Sequence, residues 1–317
     1  TAAAAAEEPA ELAQITVLLP NPSAVNVYNL CVAIGEGFLA EQGIEARVEA
    51  LDGSGPVLQA MAAGQAQFGL PGPGPMLNAH ARGEDPVGIY NHFAQALFGI
   101  VVPEDSEYQA PADLAGTVIG VGTAEGAEVS FARAILADAG LEEDTDYEFL
   151  PVGDGGPATA AFERGEIRAY AAAISDMAII QARGLPLREL TPEAFLSFFG
   201  NGYATVQSYI DSNPEVVQGF VTAMLQGAEW AIEDKEGTLQ HCADLNPEEG
   251  SDTELTAALY DAVVPRSQPL GGLPIGQYSA EAWETWQETL LETGELEEAQ
   301  DLAAVWTNEF IDTAHAG

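Results

Sequence analysis

Lysine is almost missing from this chain: Lys235 is the only one, and all basic residues together number 9 against 50 Asp and Glu. The resulting formal charge of −41 leaves no basic stripe to displace counterions, which excludes a nucleic-acid partner. It also excludes attraction to an anionic membrane surface. Cysteine is nearly as scarce, with only Cys31 and Cys242. Two cysteines far apart in sequence cannot form a disulfide scaffold, and they suit a compartment where thiols are either paired or avoided. Whether they pair is open, although the apolar helical stretch around Cys31 favours a buried free thiol. No Cys or His falls in a metal-ligating spacing. No apolar run approaches ~20 residues, so no segment reads as a membrane-spanning helix.

What is present is a chain of 317 residues, 47% of them hydrophobic, enough for two cores and too apolar for general disorder. At ~0.1 M salt the Debye length is ~10 Å, and this much like charge strains a compact fold; at molar salt it falls to ~3 Å and the strain fades. The acids run along the whole chain, so we read them as an adaptation to high salt. A merely acidic secreted protein is the plainer alternative. Thr1, the alanines Ala2 to Ala6, and Glu7, Glu8 and Pro9 read as a mature end left by an export signal, then a flexible tether. A trimmed recombinant end would read the same.

Along the first two thirds, strand-like and helix-like segments alternate over short loops, the pattern of a parallel α/β sheet. Strands are expected at Ile15–Leu19, Glu45–Leu51 and Gln67–Leu70, then at Gly99–Val102, Thr117–Val121, Tyr147–Pro151, Ala169–Ile174 and Leu187–Leu190. A helix is expected from Val27 to Gln42, stopped by Gly43, and Phe198–Gln207 returns in extended form. After Pro214 only helical spacing remains.

In such sheets ligands bind outside the carboxyl ends of the strands. Five strand ends lead into small or polar loops, each followed by a helix start with free N–H groups. They are Pro20 to Asn26, Asp52 to Gly55, Pro71 to Gly74, Gly122 to Gly126 and Gly153 to Gly156. Each alone is ordinary turn chemistry; five in two groups suggest a cleft. Candidate contacts are Ser23, Asn26, Gly53, Ser54 and Gly74 from the first group, and Thr123, Glu125 and Asp154 from the second. Asp176 follows a strand end and faces the expected cleft; its plainer role is an N-cap. Tyr28, Phe93 and Tyr203 are candidate aromatic walls, though aromatics commonly fill cores. His92 is a candidate donor or a satisfied structural histidine. No Lys or Arg lies in the five loops.

Catalytic patterns are weak. Gly120, Gly122 and Gly126 miss the dinucleotide fingerprint by one place, and Ser54 lacks the outer spacing of a nucleophile elbow.

The stretch from Asp52 to Gly69, with Ala33 to Ile44 before it and Ala112 to Val121 and Phe162 to Ala169 after it, resembles the type II periplasmic-type solute-binding proteins of ABC importers. The nearest subgroup serves nitrate, taurine, alkanesulfonates and thiamine precursors. Arg168 stands where the family usually has aspartate. The resemblance implies an α/β, two-lobed periplasmic-binding-protein fold, each lobe a mostly parallel sheet flanked by helices, with a helical C-terminal region. Lobe 1 would comprise residues 12–100 plus 199–317, and lobe 2 residues 101–198. It further implies a monomer, exported and either periplasmic or tethered to the outer face of the membrane. Such a protein would bind a small-molecule ligand, use no cofactor, perform no catalysis, and dock on the membrane permease of an ABC importer. The first loop lacks the Trp and His that thiamine-precursor binders often carry, and the basic residue that can hold an anion is absent. We therefore expect a small polar organic ligand, sandwiched by aromatics and fixed by Ser54, Asn26 and Asp176, with an organic anion at helix N-termini as the other possibility. A small-molecule enzyme on the same two-lobed frame, such as a hydroxymethylbilane-synthase-type deaminase, is the alternative reading. It is disfavoured because its cysteine and arginine-rich cleft are not in the loops. A regulator's sensing domain would need a DNA-binding segment that the residues before Ile15 are too few to supply.

Overall fold

The computed structural model describes residues 12–269 and 271–317. The β-branched, alternating run Ala13–Leu19 forms β1, which pairs in parallel with β2 (Ile44–Ala50), placing Val17 opposite Val48. The other strands are β3 (Phe68–Gly69), β4 (Pro86–Tyr90), β5 (Phe98–Pro103), β6 (Thr117–Val121), β7 (Tyr147–Pro151), β8 (Ala169–Ala173), β9 (Leu187–Glu189) and β10 (Tyr203–Val206). They build two five-stranded sheets, in the orders β2-β1-β3-β10-β4 and β7-β6-β8-β5-β9.

Each sheet is parallel except for one strand. β10 runs antiparallel to β3 and β4, and β5 runs antiparallel to β8 and β9. These are the strands by which the chain enters the second lobe and re-enters the first. Just outside them the two crossing segments bond to each other: Phe93 N–H donates to Asn201 O at 3.1 Å, and Gly200 N–H donates to Phe93 O at 2.8 Å.

Two expectations need correction. The single helix over Val27–Gln42 is broken: one helix spans Tyr28–Gly35 and a short one Phe38–Glu41, because Gly37 turns left-handed at φ 84°. Strand β4 was not anticipated, since five residues opening on Pro86 carry too short a pattern. The helices after Pro214 pack mainly on the first lobe, and Thr253–Val263 also touches Ile174–Ala182 of the second. Most buried apolar residues form one continuous core, while a smaller group around Val101, Tyr170 and Ile180 lies in the second lobe. Cys31 and Cys242 are both buried free thiols. Burial pushes the Cys31 thiol well above its usual range, and the neighbouring Cys242 adds to the shift. The alanine-rich opening lies outside the described residues.

Candidate functional site

Between the lobes is a cavity of about 50 Å³, smaller than the ~300–1,000 Å³ common for small-molecule sites. The first lobe contributes Ser23, Asn26, Gly53, Ser54 and Phe93; the second contributes Thr123, Asp154 and Asp176. The strand-end loops therefore converge. Across the mouth, Asn26 Nδ2 donates to Ser175 Oγ at 3.3 Å, and Gly55 N–H reaches Glu125 O at 3.4 Å. Gly53 sits at φ 91°, and a Cβ there would lie 2.5 Å from Thr123 Oγ1. Only glycine permits both that backbone and that approach.

Five expected residues do not line the cavity. Tyr28 is buried with its hydroxyl bonded to Ser267. Tyr203 is buried with its hydroxyl donating to Asn29 Oδ1 at 3.0 Å. Both are core residues, so the aromatic rings left on the cavity lining are Phe93 and Phe98. Gly74 lies at a helix crossing, where a Cβ would come within 2.9 Å of Ser130 Cβ. Glu125 is exposed outside the mouth, over Gly55. His92 is sealed behind the wall, its Nε2 2.8 Å from Asn26 O. Burial lowers its pKa to about 4, so the ring is neutral.

The helix N-termini also differ from expectation. In the first loop Glu249 occupies them: its carboxylate accepts from Ser23 Oγ at 2.6 Å, Ala24 N–H at 2.8 Å and Val25 N–H at 3.2 Å. At the second-lobe loop Thr123 N–H donates to Glu128 Oε1 at 3.2 Å. Asp176 is the third residue of the helix Ile174–Ala182, and its Oδ2 accepts from Ala173 N–H at 3.3 Å. It reaches back over the helix start instead of standing at the N-cap.

Two cavity residues carry no obvious signal in the sequence. Glu128 lies two places past Gly126, and a Cβ on Gly126 would fall 2.1 Å from its carboxylate oxygens. Its position in the first helical turn after a glycine loop was the available clue. Asn201 is a polar residue between Gly200 and Gly202; its Nδ2 donates to Leu70 O at 3.0 Å.

Electrostatically the wall is one-sided. Burial raises the carboxyl of Glu128 to about 7, and Asp154 adds to that. Asp176 is raised well above the usual range by burial first, then by Asp154 and Glu128. Asp154 stays in contact with solvent at the rim; loss of water raises its carboxyl, and Tyr170 O–H, 3.3 Å away, opposes the shift. No Lys or Arg is among the described residues lining the cavity.

Two sheets, two crossing segments and a cavity at the facing strand ends define the periplasmic-binding-protein architecture. The chain belongs to the NMT1/THI5-like family, whose model matches residues 24–238. A protein of Bordetella bronchiseptica RB50 is similar in structure, with TM-score 0.80 at 21% identity over 96% of this chain and 98% of that one. The alkanesulfonate-binding protein SsuA of Xanthomonas axonopodis pv. citri, bound to MOPS, gives 0.73 at 21% over 94% and 99%. The periplasmic nitrate-binding protein NrtA of Synechocystis PCC 6803 gives 0.73 at 13% over 96% and 89%. No curated protein matches the chain by sequence. No helix among the described residues is long and apolar enough to cross a membrane.

Proposed function

We propose that this protein is the exported solute receptor of an ABC importer, capturing a small polar organic solute between its lobes and presenting it to the membrane permease. The observation that carries this reading is the convergence of strand-end loops from both lobes on one cavity, with the chain passing between the lobes through paired crossing segments. Residues 12–100 plus 199–317 would move as one body and 101–198 as the other, closing by a hinge. Ser23, Asn26, Ser54, Thr123, Asp154 and Asp176 are the proposed contacts. The similarity to sulfonate- and nitrate-binding proteins supports a transport role.

Mass spectrometry of solutes released by denaturing the purified protein identifies the ligand. Returning that solute to the stripped protein should reduce the radius seen by small-angle scattering. An unchanged profile at saturation would sink the hinge mechanism.

A further inference from the structure

We propose that the cleft takes an organic cation whose charged head carries N–H donors, an ammonium or amidinium group, held by Asn26, Asn201, Glu128, Asp154 and Asp176. This deepens the solute-capture reading and rests on it.

The first support is two oxygens without partners. Asn26 and Asn201 are 5% and 4% exposed, both line the cavity, and neither Oδ1 is reached by a protein donor. Their orientations are fixed. Asn201 Nδ2 is committed to Leu70 O at 3.0 Å. Asn26 Nδ2 donates to Asn21 Oδ1 at 3.2 Å, and that oxygen is identified as an acceptor because Ser23 N–H also donates to it at 3.1 Å. Flipping either amide would set acceptor against acceptor, Asn201 Oδ1 on Leu70 O and Asn26 Oδ1 on Asn21 Oδ1. Both sites therefore present acceptors to whatever enters. A buried acceptor left unmatched is costly, so the occupant must bring donors.

The second support is the carboxylates. Glu128, Asp154 and Asp176 line the same cavity, with no lysine or arginine among the lining residues. An anion would have to enter beside them. The route by which an anion is usually held, N–H groups at helix starts, is largely taken. Glu249 fills the one at Ala24 and Val25, Glu128 meets Thr123, and Asp176 meets Ala173. The protein's own carboxyl groups occupy those positions. Of the unpartnered polar atoms on the cavity lining, the two amide oxygens accept and the Thr123 hydroxyl can donate or accept, while Phe93 and Phe98 add apolar surface. Sulfonate and nitrate are thus poor fits here, although similar folds bind them. A quaternary ammonium would meet the charge but leave both amide oxygens unmatched.

Three probes sharing one ring separate these cases: benzylammonium, benzyltrimethylammonium and benzenesulfonate, titrated calorimetrically into stripped protein at pH 8 in molar NaCl. Benzylammonium should bind at least about tenfold tighter than benzyltrimethylammonium, and benzenesulfonate should give no saturable heat. Asp176→Asn and Glu128→Gln should each weaken benzylammonium about 10- to 100-fold while the melting temperature of the ligand-free protein does not fall. Because either variant can disturb the fold, the parent protein supplies a second arm: benzylammonium affinity should rise between pH 5 and pH 8 as the Glu128 carboxyl ionises, and an affinity that falls over that range would overturn the proposal. Tighter or equal binding of benzenesulfonate, equal binding of the two cations, or no binding of benzylammonium would overturn the proposal. Scattering on the same samples separates the two readings. Closure around benzenesulfonate would overturn the cation and keep the receptor. Binding of benzylammonium without closure would keep the cation site and overturn the receptor mechanism.

Discussion

Glu128 and His92 lie close to the same cavity and respond to pH in opposite senses. Glu128 holds its proton up to about pH 7 in the folded protein, whereas an ordinary glutamate releases it near 4.5. Between those values the folded state binds more protons than the unfolded one. The stability this group contributes is therefore present below pH 4.5 and lost as pH rises through about 7. Asp154 from the β7 loop and Asp176 from the helix Ile174–Ala182 face it, Tyr170 from β8 lies among the three, and Asp52 acts on Asp154 from the first lobe. Glu128→Gln keeps an acceptor for Thr123 N–H and removes the charge. Without ligand, the variant should melt a few degrees above the parent at pH 8 and level with it at pH 4.5. Equal melting temperatures at both values would mean that water already compensates the carboxylate. His92 is depressed from 6.5 to about 4 by burial, so its folded form binds fewer protons in that window. Its contribution is present above pH 6.5 and lost as pH falls towards 4, with a limiting slope of about 1.4 kcal/mol per pH unit. His92→Gln can still donate to Asn26 O. It should flatten the acid limb of a denaturant-derived stability profile; an unchanged slope would place the proton elsewhere.

The crossing segments are the elements on which closure depends, and at Gly200 they approach each other closely. A Cβ there would lie 2.7 Å from Leu97 Cβ and 3.1 Å from Phe93 Cβ. Neither neighbour is the loose end of a long side chain, so the strands themselves must part. Gly200→Val should cost about 1–3 kcal/mol, the usual range for overpacking, read as a lower urea midpoint. A parental midpoint would show that the segments separate freely. This hinge was only half legible in the sequence. The extended run from Phe198 to Gln207 marked where the chain returns; the Phe93–Gly200 pairing depends on contacts across about a hundred residues. The strand-end loops were legible because glycine, proline and serine mark them locally. Asp154 and Asp176 were visible as acids just past strand ends. Tyr28 and Tyr203 were misplaced because the pattern of a buried helix or strand does not say which apolar face looks at a cavity. Glu249, which occupies the first helix start, comes from a distant helical segment and leaves no local trace near Ser23.

At the scale of the whole molecule, 50 acids and 9 bases must share one compact surface. Three of the ion pairs among the described residues join positions two apart on exposed surface, such as Arg47–Glu49 and Arg164–Glu166, and pairs of this kind contribute little. Arg133 is more embedded, bound to Glu143 at 2.7 Å and to Glu295 at 2.6 Å. Salt weakens these attractions and the repulsions alike, but repulsive pairs are far more numerous at a charge of −41. The net effect of screening is therefore stabilisation. It should be steepest where the Debye length shrinks from ~10 Å at 0.1 M to ~3 Å at 1 M. We expect the melting temperature to rise by many degrees between 0.1 and 2 M KCl, and NaCl to act nearly as well, because screening depends on ionic strength. Sucrose at matched osmolality is the control, since it favours the compact state through exclusion and leaves the charges unscreened. If sucrose reproduced the whole rise, the acids would not be its cause. A flat response to KCl would remove the high-salt reading altogether, and the near absence of lysine would then need an explanation other than charge.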